Sequence, residues 1–217
     1  MKNTAGAVWA FLDTHPCIKK DLDRNLINAR ALAKYIINTN KMDTTLDAVI
    51  SAIRRYETGG LDDQFTIARH IIDRTVTIST RSGLVEVSLI KNDDIQRSLP
   101  ALFDIIDHNR GEILRIIQAT ETIKLIIDEK NLEDISSIFS KNGILKTEKY
   151  VAEINMHMHP KMVKTRGILA VISNEMTING INIIEILSCI PELLIFVKEE
   201  DVLKAYQVLY KLCRNHR

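Results

Sequence analysis

A pair of histidines is the first place in the chain where side chains of the right type stand at a spacing that suits a metal ion. His157 and His159 flank one methionine in a β-rich run, and residues two apart on a strand point to the same face. Imidazole is a common zinc ligand, but a zinc site needs further ligands. No cysteine lies near the pair and no acidic partner is apparent. The pattern therefore favours two histidines on a half-exposed strand, and no metal site is predicted.

Residue sets typical of catalysis are absent from the sequence. It has no Walker phosphate loop, no Gly-x-Ser-x-Gly and no His-Glu-x-x-His, which are motifs of nucleotide, hydrolase and zinc-protease sites. The cysteines, Cys17, Cys189 and Cys213, are an odd number without Cys-x-x-Cys spacing. That usage favours reduced thiols over a disulfide framework. The chain is predicted to be no enzyme and to use no cofactor.

Basic and hydroxyl side chains in the first sixty residues indicate a different chemistry, the binding of DNA. Apolar residues at helical spacing predict four helices, over residues 4–13, 18–25, 29–38 and 44–56. The last two, joined by a polar turn, resemble a helix-turn-helix, whose second helix enters the major groove. Arginine suits this role because its planar fork offers two parallel donors to phosphate or guanine. The predicted DNA contacts are Thr45, Ser51, Arg54 and Arg55.

A plain helical bundle that docks on a protein fits the same pattern. Two arginines at a helix C-terminus also stabilise the helix dipole, and Asp47 on the predicted recognition helix would repel phosphate. Thr44, with Asp47 three places on, resembles a capping box that starts this helix. Residues 1–60 hold nine Lys and Arg against six Asp and Glu, a mildly basic balance that is compatible with nucleic acid. DNA and a protein partner both remain open.

From Val151 onward the chain reads strand, helix, strand, strand, helix. The strands are predicted over residues 151–159, 181–187 and 192–197, and the helices over 166–176 and 200–213. This order, with the pieces Gly180-Ile-Asn-Ile-Ile-Glu-Ile186 and Val197-Lys-Glu-Glu-Asp-Val202, resembles an ACT domain, and most of all the regulatory domains of aspartokinases. The resemblance implies a module that binds an amino acid and transmits the signal without doing chemistry. It does not extend to the kinase catalytic domain.

An earlier segment repeats the order of elements. Strands are predicted at 84–90, 113–118, 122–128 and 144–150, with helices at 95–108 and 132–140 between them. The predicted class is therefore α+β, with two tandem ferredoxin-like βαββαβ (ACT-like) domains, 84–150 and 151–217, after a helical helix-turn-helix or winged-helix-like domain, 1–60. Residues 61–83 would connect them through a helix and a hairpin strand. In that hairpin, Thr75–Thr80 and Leu84–Ile90 pair around Gly83 as the wing of a winged helix.

The resemblance implies an effector site near the loop after the first strand of an ACT domain. Backbone amides at a helix N-terminus hold a carboxylate, and a glycine lets a ligand approach closely. Arginine pairs with a carboxylate, and an asparagine offers both donors and acceptors. The alternative for each residue is structural, as a junction, a turn or a solvated charge. The predicted ligand-binding residues are Thr165, Arg166, Gly167, Asn182, Asn92 and Asp94.

Sheet faces and composition set the expected partners. A ferredoxin-like sheet leaves its other face and its edges bare, so pairing of sheets, within the chain or across a homodimer, is expected. No apolar run approaches the ~20 residues of a membrane span, and the N-terminus does not read as a signal peptide. A cytoplasmic homodimer without membrane contact is predicted.

Together these observations predict an amino-acid-sensing transcriptional regulator. An amino-acid effector would bind the ACT-like domains and shift two helix-turn-helix heads on double-stranded DNA. The alternative is a non-catalytic regulatory subunit that docks on and controls an amino-acid biosynthetic enzyme, an aspartokinase-like regulatory module without the kinase domain.

Overall fold

The computed structural model describes residues 3–214. The N-terminal elements are α1 (Thr4–Asp13), α2 (Pro16–Asp23), α3 (Ala29–Thr39), α4 (Leu46–Arg54) and α5 (Leu61–Asp73). The elements that follow are β1 (Thr77–Ile90), α6 (Asp93–Ser98), α7 (Leu102–Ile105), β2 (Leu114–Gln118), β3 (Thr122–Asp128), α8 (Leu132–Ile138), β4 (Ile144–His157), α9 (Ile168–Ile178), β5 (Ile183–Cys189), β6 (Glu192–Lys198) and α10 (Val202–Leu212). None of the helices within residues 3–214 is long and apolar enough to cross a membrane.

Two compact units make up the described chain. One contains the residues up to His70 together with Thr165–Ile168, and the other contains Ile71–Lys164 and the residues from Leu169 onward. In the first unit α4 packs against α1 and α3, and the side chains of Val8, Leu12, Ile36 and Val49 at this junction are fully buried. Short amphipathic helices of this kind gain most of their stability from such packing.

One antiparallel sheet of six strands, in the order β2-β3-β1-β4-β6-β5, forms the centre of the second unit. The predicted α+β class is confirmed. The two long strands β1 and β4 each pair along both halves of the sheet. The second half of β1 lies between β3 and the first half of β4, while Thr77–Arg81 pairs with residues 153–157 of β4. The first half of β1 thus lies beside the strand predicted to open the second ACT-like repeat, although it precedes the first predicted repeat in sequence.

The predicted hairpin around Gly83 is wrong, because Thr77–Ile90 is a single strand. Gly83 has a φ of +72°, and the pairing of β1 with β4 shifts register between Arg81 and Leu84. A glycine with a positive φ serves a bulge as well as a turn. Both halves of the segment find partners on β4 instead of on each other. No winged-helix wing is therefore formed by this segment.

The helix-covered face of the sheet in the first repeat is apolar. Alternate residues of β1 and β3 point towards α6, α7 and α8, and they form a core with the buried side of those helices. Its fully buried members include Val85, Val87, Leu89, Leu102, Ile123, Leu125, Ile127 and Ile135. This face follows the alternation expected of a half-buried strand.

The helix-free face is covered by the sheet itself. Side chains from non-adjacent strands meet there: Arg115 of β2 reaches Glu153 of β4, and Lys124 of β3 reaches Glu185 of β5. In a flat sheet these strands would stand about 14 Å and about 19 Å apart, so the sheet is strongly curled. Phe196 and Leu84 lie in the apolar cluster inside the curl. The face is closed within one chain and supplies no argument for a homodimer.

Candidate ligand-binding sites

The predicted effector residues of the first repeat lie just after β1. Asn92 caps α6, with its side-chain Oδ1 accepting a hydrogen bond from the backbone N–H of Ile95 at 2.9 Å. Asp94 is exposed in the first turn of the same helix. The side-chain oxygen of Asn92 therefore already has a local structural role, which is the alternative foreseen for it.

The predicted effector residues of the second repeat lie on either side of α9. Thr165 is half-buried and Arg166 is exposed, while Gly167 adopts a φ of +87°. That left-handed backbone favours glycine at this position. Asn182 is exposed immediately before β5. The positions offer an exposed guanidinium and an exposed amide, as the prediction requires.

Asn92 and Asn182 are not brought together within one chain. Leu89, near Asn92, pairs with Ile144 at the start of β4, whereas the start of β5 lies beside the part of β6 that pairs with Ala152. These levels differ by about eight residues along β4, or roughly 26 Å at the rise of an extended strand. The two loops would therefore act as separate sites.

The predicted DNA-contacting residues all lie on or beside α4. Thr45 is its N-cap, and its hydroxyl accepts a hydrogen bond from the N–H of Ala48 at 3.3 Å. Ser51, Arg54 and Arg55 are exposed, and Arg55 Nε donates to the carbonyl of Ser51 at 3.2 Å. The guanidiniums of Arg54 and Arg55 lie at exposed positions, where solvent can reach them.

Two local details of this region differ from the prediction. The helix begins at Leu46, so the capping box on Thr44 is wrong; the Thr44 hydroxyl instead bonds that of Thr4 at 3.2 Å. The connection between α3 and α4 spans residues 40–45, longer than the three or four residues usual in a helix-turn-helix. The helix-turn-helix stays a prediction.

A polar cleft that the sequence did not predict opens on the helix-free face of the sheet. It has a volume of about 390 Å³ and is lined mainly by Ser79, Arg81, Glu112, Arg115, Glu153 and Asn155. The residues from β1 and β4 share one face, because Ser79 pairs with Asn155 and Arg81 with Glu153 across the two strands. Arg115 approaches from β2, which the curl of the sheet brings opposite. This set is called the polar cleft below.

Two ion pairs cross the polar cleft. Arg81 Nη2 lies 2.6 Å from Asp128 Oδ1, and Asp128 Oδ2 accepts the N–H of Ile113 at 2.7 Å. Arg115 pairs with both oxygens of Glu153, at 3.2 Å through Nε and 3.3 Å through Nη2. The Glu153 side chain is 5% exposed and that of Arg115 is 32% exposed. A buried carboxylate therefore faces a guanidinium that solvent can reach.

Two further groups of charged residues, around Glu112 and around Lys124, lie at or near the polar cleft. Lys130 and Asn131 donate hydrogen bonds to Glu112, which also accepts the N–H of Asp107; led by the bond from Lys130, these lower the pKa of Glu112 to about 2. Deeper in the curl, Lys124 lies 3.3 Å from Glu86 and 2.8 Å from Glu185. Burial tends to lower the pKa of Lys124, but its hydrogen bonds to the two carboxylates outweigh burial and raise it.

A sequence signal for these residues existed. In each of the predicted strands 84–90, 113–118, 122–128 and 151–159, one charged residue stands directly between two apolar residues: Glu86, Arg115, Lys124 and Glu153. A lone charge on a half-buried strand needs an opposite charge nearby, and two of the four are positive and two negative. Alternation alone would have placed them on the face opposite the core, but not close to one another.

Of the two histidines, His157 ends β4 and His159 lies just beyond it. His159 Nδ1 accepts the N–H of Lys161 at 3.1 Å, so one of its nitrogens is occupied. Among residues 3–214, no group of three or more His, Cys, Asp or Glu side chains is arranged to hold a metal ion.

Comparison with known proteins gives structural relatives only. No protein-family model and no curated protein matches the sequence. The ligand-free regulatory subunit of aspartate kinase from Thermus thermophilus superposes with a TM-score of 0.52 at 13% identity, over 64% of this chain and 98% of that chain. The corresponding subunit from Thermus flavus gives 0.51 at 12% identity, over 64% and 98%. Aspartate kinase from Clostridium acetobutylicum, described as an allosteric enzyme, gives 0.53 at 16%, over 65% of this chain and 35% of that chain. At these identities the likeness establishes the fold.

Proposed function

We propose that this protein is a non-catalytic regulatory module that binds an amino acid and transmits its occupancy to a partner. The observation that carries the proposal is the fold, since nearly the whole of a free-standing aspartate kinase regulatory subunit, 98% of its length, superposes on this chain. A further observation agrees with it. The described residues include exposed polar side chains in the loops before α6 and α9.

The proposed effector contacts are the predicted loop residues. Arg166 would pair with the carboxylate of the amino acid, and Gly167 would let it approach the backbone. Asn182 would contribute an amide in the second repeat, while Asn92 and Asp94 would form the corresponding site of the first repeat. Thr165 would add a hydroxyl beside Arg166.

Thermal unfolding against each of the twenty amino acids tests this proposal. A ligand that binds only the folded protein raises the midpoint, and at ~100 times its dissociation constant it adds ~2.7 kcal/mol of stability. We expect one amino acid, or a few related ones, to raise the midpoint, and Arg166→Gln to reduce that rise. If none of the twenty shifts the midpoint, the proposed effector function is wrong.

We propose control of an enzyme as the output that the comparisons support best. The Thermus proteins are subunits of an aspartate kinase, and a chain of the same fold would act by docking on an amino-acid biosynthetic enzyme. Its α1–α4 bundle would then supply the docking surface. Co-purification with such an enzyme, and a change in its activity when the effector is added, test this output.

DNA binding is the second output, supported by one observation. Ser51 and Arg54 in the second half of α4 and Arg55 at its C-cap are all exposed, and guanidiniums at such positions can contact phosphate. In a homodimer, the effector would alter the spacing of two such helices. Binding through phosphates weakens steeply with salt, so a DNA affinity that fails to fall between low and high salt, or that Arg54→Gln leaves unchanged, would reject it.

A further inference from the structure

The polar cleft has the size of a small-molecule site, and its lining is mainly polar and charged. Its volume of about 390 Å³ lies within the roughly 300–1,000 Å³ of ligand pockets. Three ion pairs border it, Arg81 with Asp128, Arg115 with Glu153 and Lys130 with Glu112. Positive and negative groups therefore balance, and a ligand with a net charge of either sign would leave one carboxylate or one guanidinium in excess.

The two ion pairs that cross the cleft differ in the length of their contacts. The Arg81–Asp128 pair is short, and both Asp128 oxygens are occupied by donors at 2.6 and 2.7 Å. The Arg115–Glu153 contacts, at 3.2 and 3.3 Å, exceed the 2.7–2.9 Å usual for charged N–H···O bonds. The first pair is a structural tie, whereas the second leaves its partners room for other bonds.

Both members of the looser pair have bonding capacity to spare. Arg115 uses Nε and Nη2 on Glu153, so its Nη1 N–H groups are not engaged by that pair. Each Glu153 oxygen has a second lone-pair direction available. Because the Glu153 side chain is 5% exposed, a cationic group placed against it would interact in a poorly solvated setting, where charge attraction is strong.

We propose that the polar cleft binds a compact zwitterion, of which a free α-amino acid is the simplest class. Its carboxylate accepts hydrogen bonds from Arg115, and its ammonium group donates to Glu153. Ser79 and Asn155 on the neighbouring strand positions contribute a hydroxyl and an amide. The ligand class rests on the proposed amino-acid function, but the cleft is separate from the loop residues and constitutes a second site.

Binding to a chain whose loops are disabled tests the cleft alone. The triple variant Asn92→Ala/Arg166→Gln/Asn182→Ala is titrated calorimetrically with each of the twenty amino acids, and again after adding Arg115→Gln or Glu153→Gln. The triple variant should still bind, and either cleft substitution should weaken binding about tenfold or more, as expected for a lost bond to a charged group. Arg110→Gln is the matched control, because Arg110 is 80% exposed and outside the cleft, and it should leave the affinity unchanged.

The other outcomes distinguish the proposed cleft site from the proposed loop site. If the wild type binds an amino acid and the triple variant binds none, the cleft site is wrong and the loop site stands. If the cleft substitutions leave the affinity of the triple variant intact, the cleft site is also wrong. If the wild type binds none of the twenty, the proposed function and the cleft site both fail.

Two measurements keep the test decisive if Arg115→Gln does not fold. The double substitution Arg115→Gln/Glu153→Gln removes both charges together, so that no carboxylate is left unpaired, and it should also lose binding. In titrations of the triple variant, the amide and the N-acetyl derivative of the bound amino acid each lack one charge. Both should bind about tenfold more weakly or worse, and equal affinity for either derivative would overturn the proposal.

Discussion

The two faces of the six-stranded sheet are built on different principles. The helix-covered face buries branched aliphatic side chains such as Val87 and Leu125 against α6–α8, with no charge among its buried members. The helix-free face buries Phe196 and Leu84, yet it also carries Glu86 and Glu153, each about 95% buried and each paired with a cation from another strand.

The two faces show two different roles of side chains, namely burial of apolar surface and alignment of the strands. Apolar packing is non-directional, so the helix-covered face can tolerate small shifts between strands. Ion pairs with bidentate or multiple contacts require one geometry. On the helix-free face Lys124 holds β3 opposite β5 through Glu185, and so it helps to fix the curl that closes the sheet.

The largest effects are expected from truncating a buried apolar side chain on each face, which tests whether both faces are packed in solution. Phe196→Ala on the helix-free face should destabilise the protein by about 3–5 kcal/mol, and Leu125→Ala on the covered face by about 2–5 kcal/mol, since both side chains are fully inaccessible. Urea unfolding of the two variants measures this. A loss below about 1 kcal/mol for Phe196→Ala would mean that the helix-free face is open in solution.

Removal of one cation should show that the stability of the helix-free face depends on charge pairing. Lys124→Met leaves Glu86 without its counter-charge, and the second oxygen of Glu86 is already buried with no hydrogen-bond partner among the described residues. Breaking a buried pair in this way costs about 3 kcal/mol or more, less the share that solvent recovers at a lysine 30% exposed.

Two controls accompany Lys124→Met. Lys146→Met removes a lysine that is 66% exposed, and it should change stability by no more than about 1 kcal/mol. Adding Glu86→Gln to Lys124→Met should recover part of the loss, because no charge then stays buried. Equal stability of Lys124→Met and Lys146→Met would show that the ion pairs do not hold the curl.

The smallest expected effect is a loss of stability at low pH, which comes from the carboxylates Glu148 and Glu112. Hydrogen bonds from Lys146 and Lys198 lower the pKa of Glu148 to about 2, as those from Lys130, Asp107 and Asn131 do for Glu112. A carboxyl with a depressed pKa stabilises the folded state above its unfolded pKa, roughly 4.3. That contribution is lost as the pH falls towards 2.

Urea midpoints between pH 7 and pH 2.5 test this dependence. We expect them to fall below about pH 4.5, and the fall to be shallower in Glu148→Gln and in Glu112→Gln. Leu125→Ala is the control, since it should lower the midpoint without changing its slope against pH. An unchanged slope in both glutamine variants would contradict the assigned bonds.

Local periodicity predicted most of the elements and much of the core. Val8, Phe11 and Leu12 on α1 are buried as their spacing required. Tyr35 and Phe103 lie in the predicted helices 29–38 and 95–108, next to the buried residues Ile36 and Leu102, yet they are 53% and 58% exposed. Phe103 was placed on a continuous helix, but Pro100 interrupts it with a 3-10 turn, because proline cannot supply the N–H that the helix interior needs. After the interruption Leu102 and Ile106 stay buried, whereas Phe103 faces solvent.

Long-range pairing could not be deduced from the sequence. The pattern of Thr77–Ile90 is the same whether its halves pair with each other or continue as one strand, and only β4 decides between them. The charges of the polar cleft could be recognised singly, but their meeting depends on the curl. The effector loops remain a prediction, since their role depends on a ligand and not on packing.

Amide hydrogen exchange with and without a mixture of the twenty amino acids tests the central claim most directly. We expect slower exchange in peptides between Thr77 and Lys198, which contain every proposed effector contact, and unchanged rates over α1–α4, where no proposed contact lies. Unchanged exchange throughout, or protection confined to α1–α4, would contradict the proposed amino-acid-binding function.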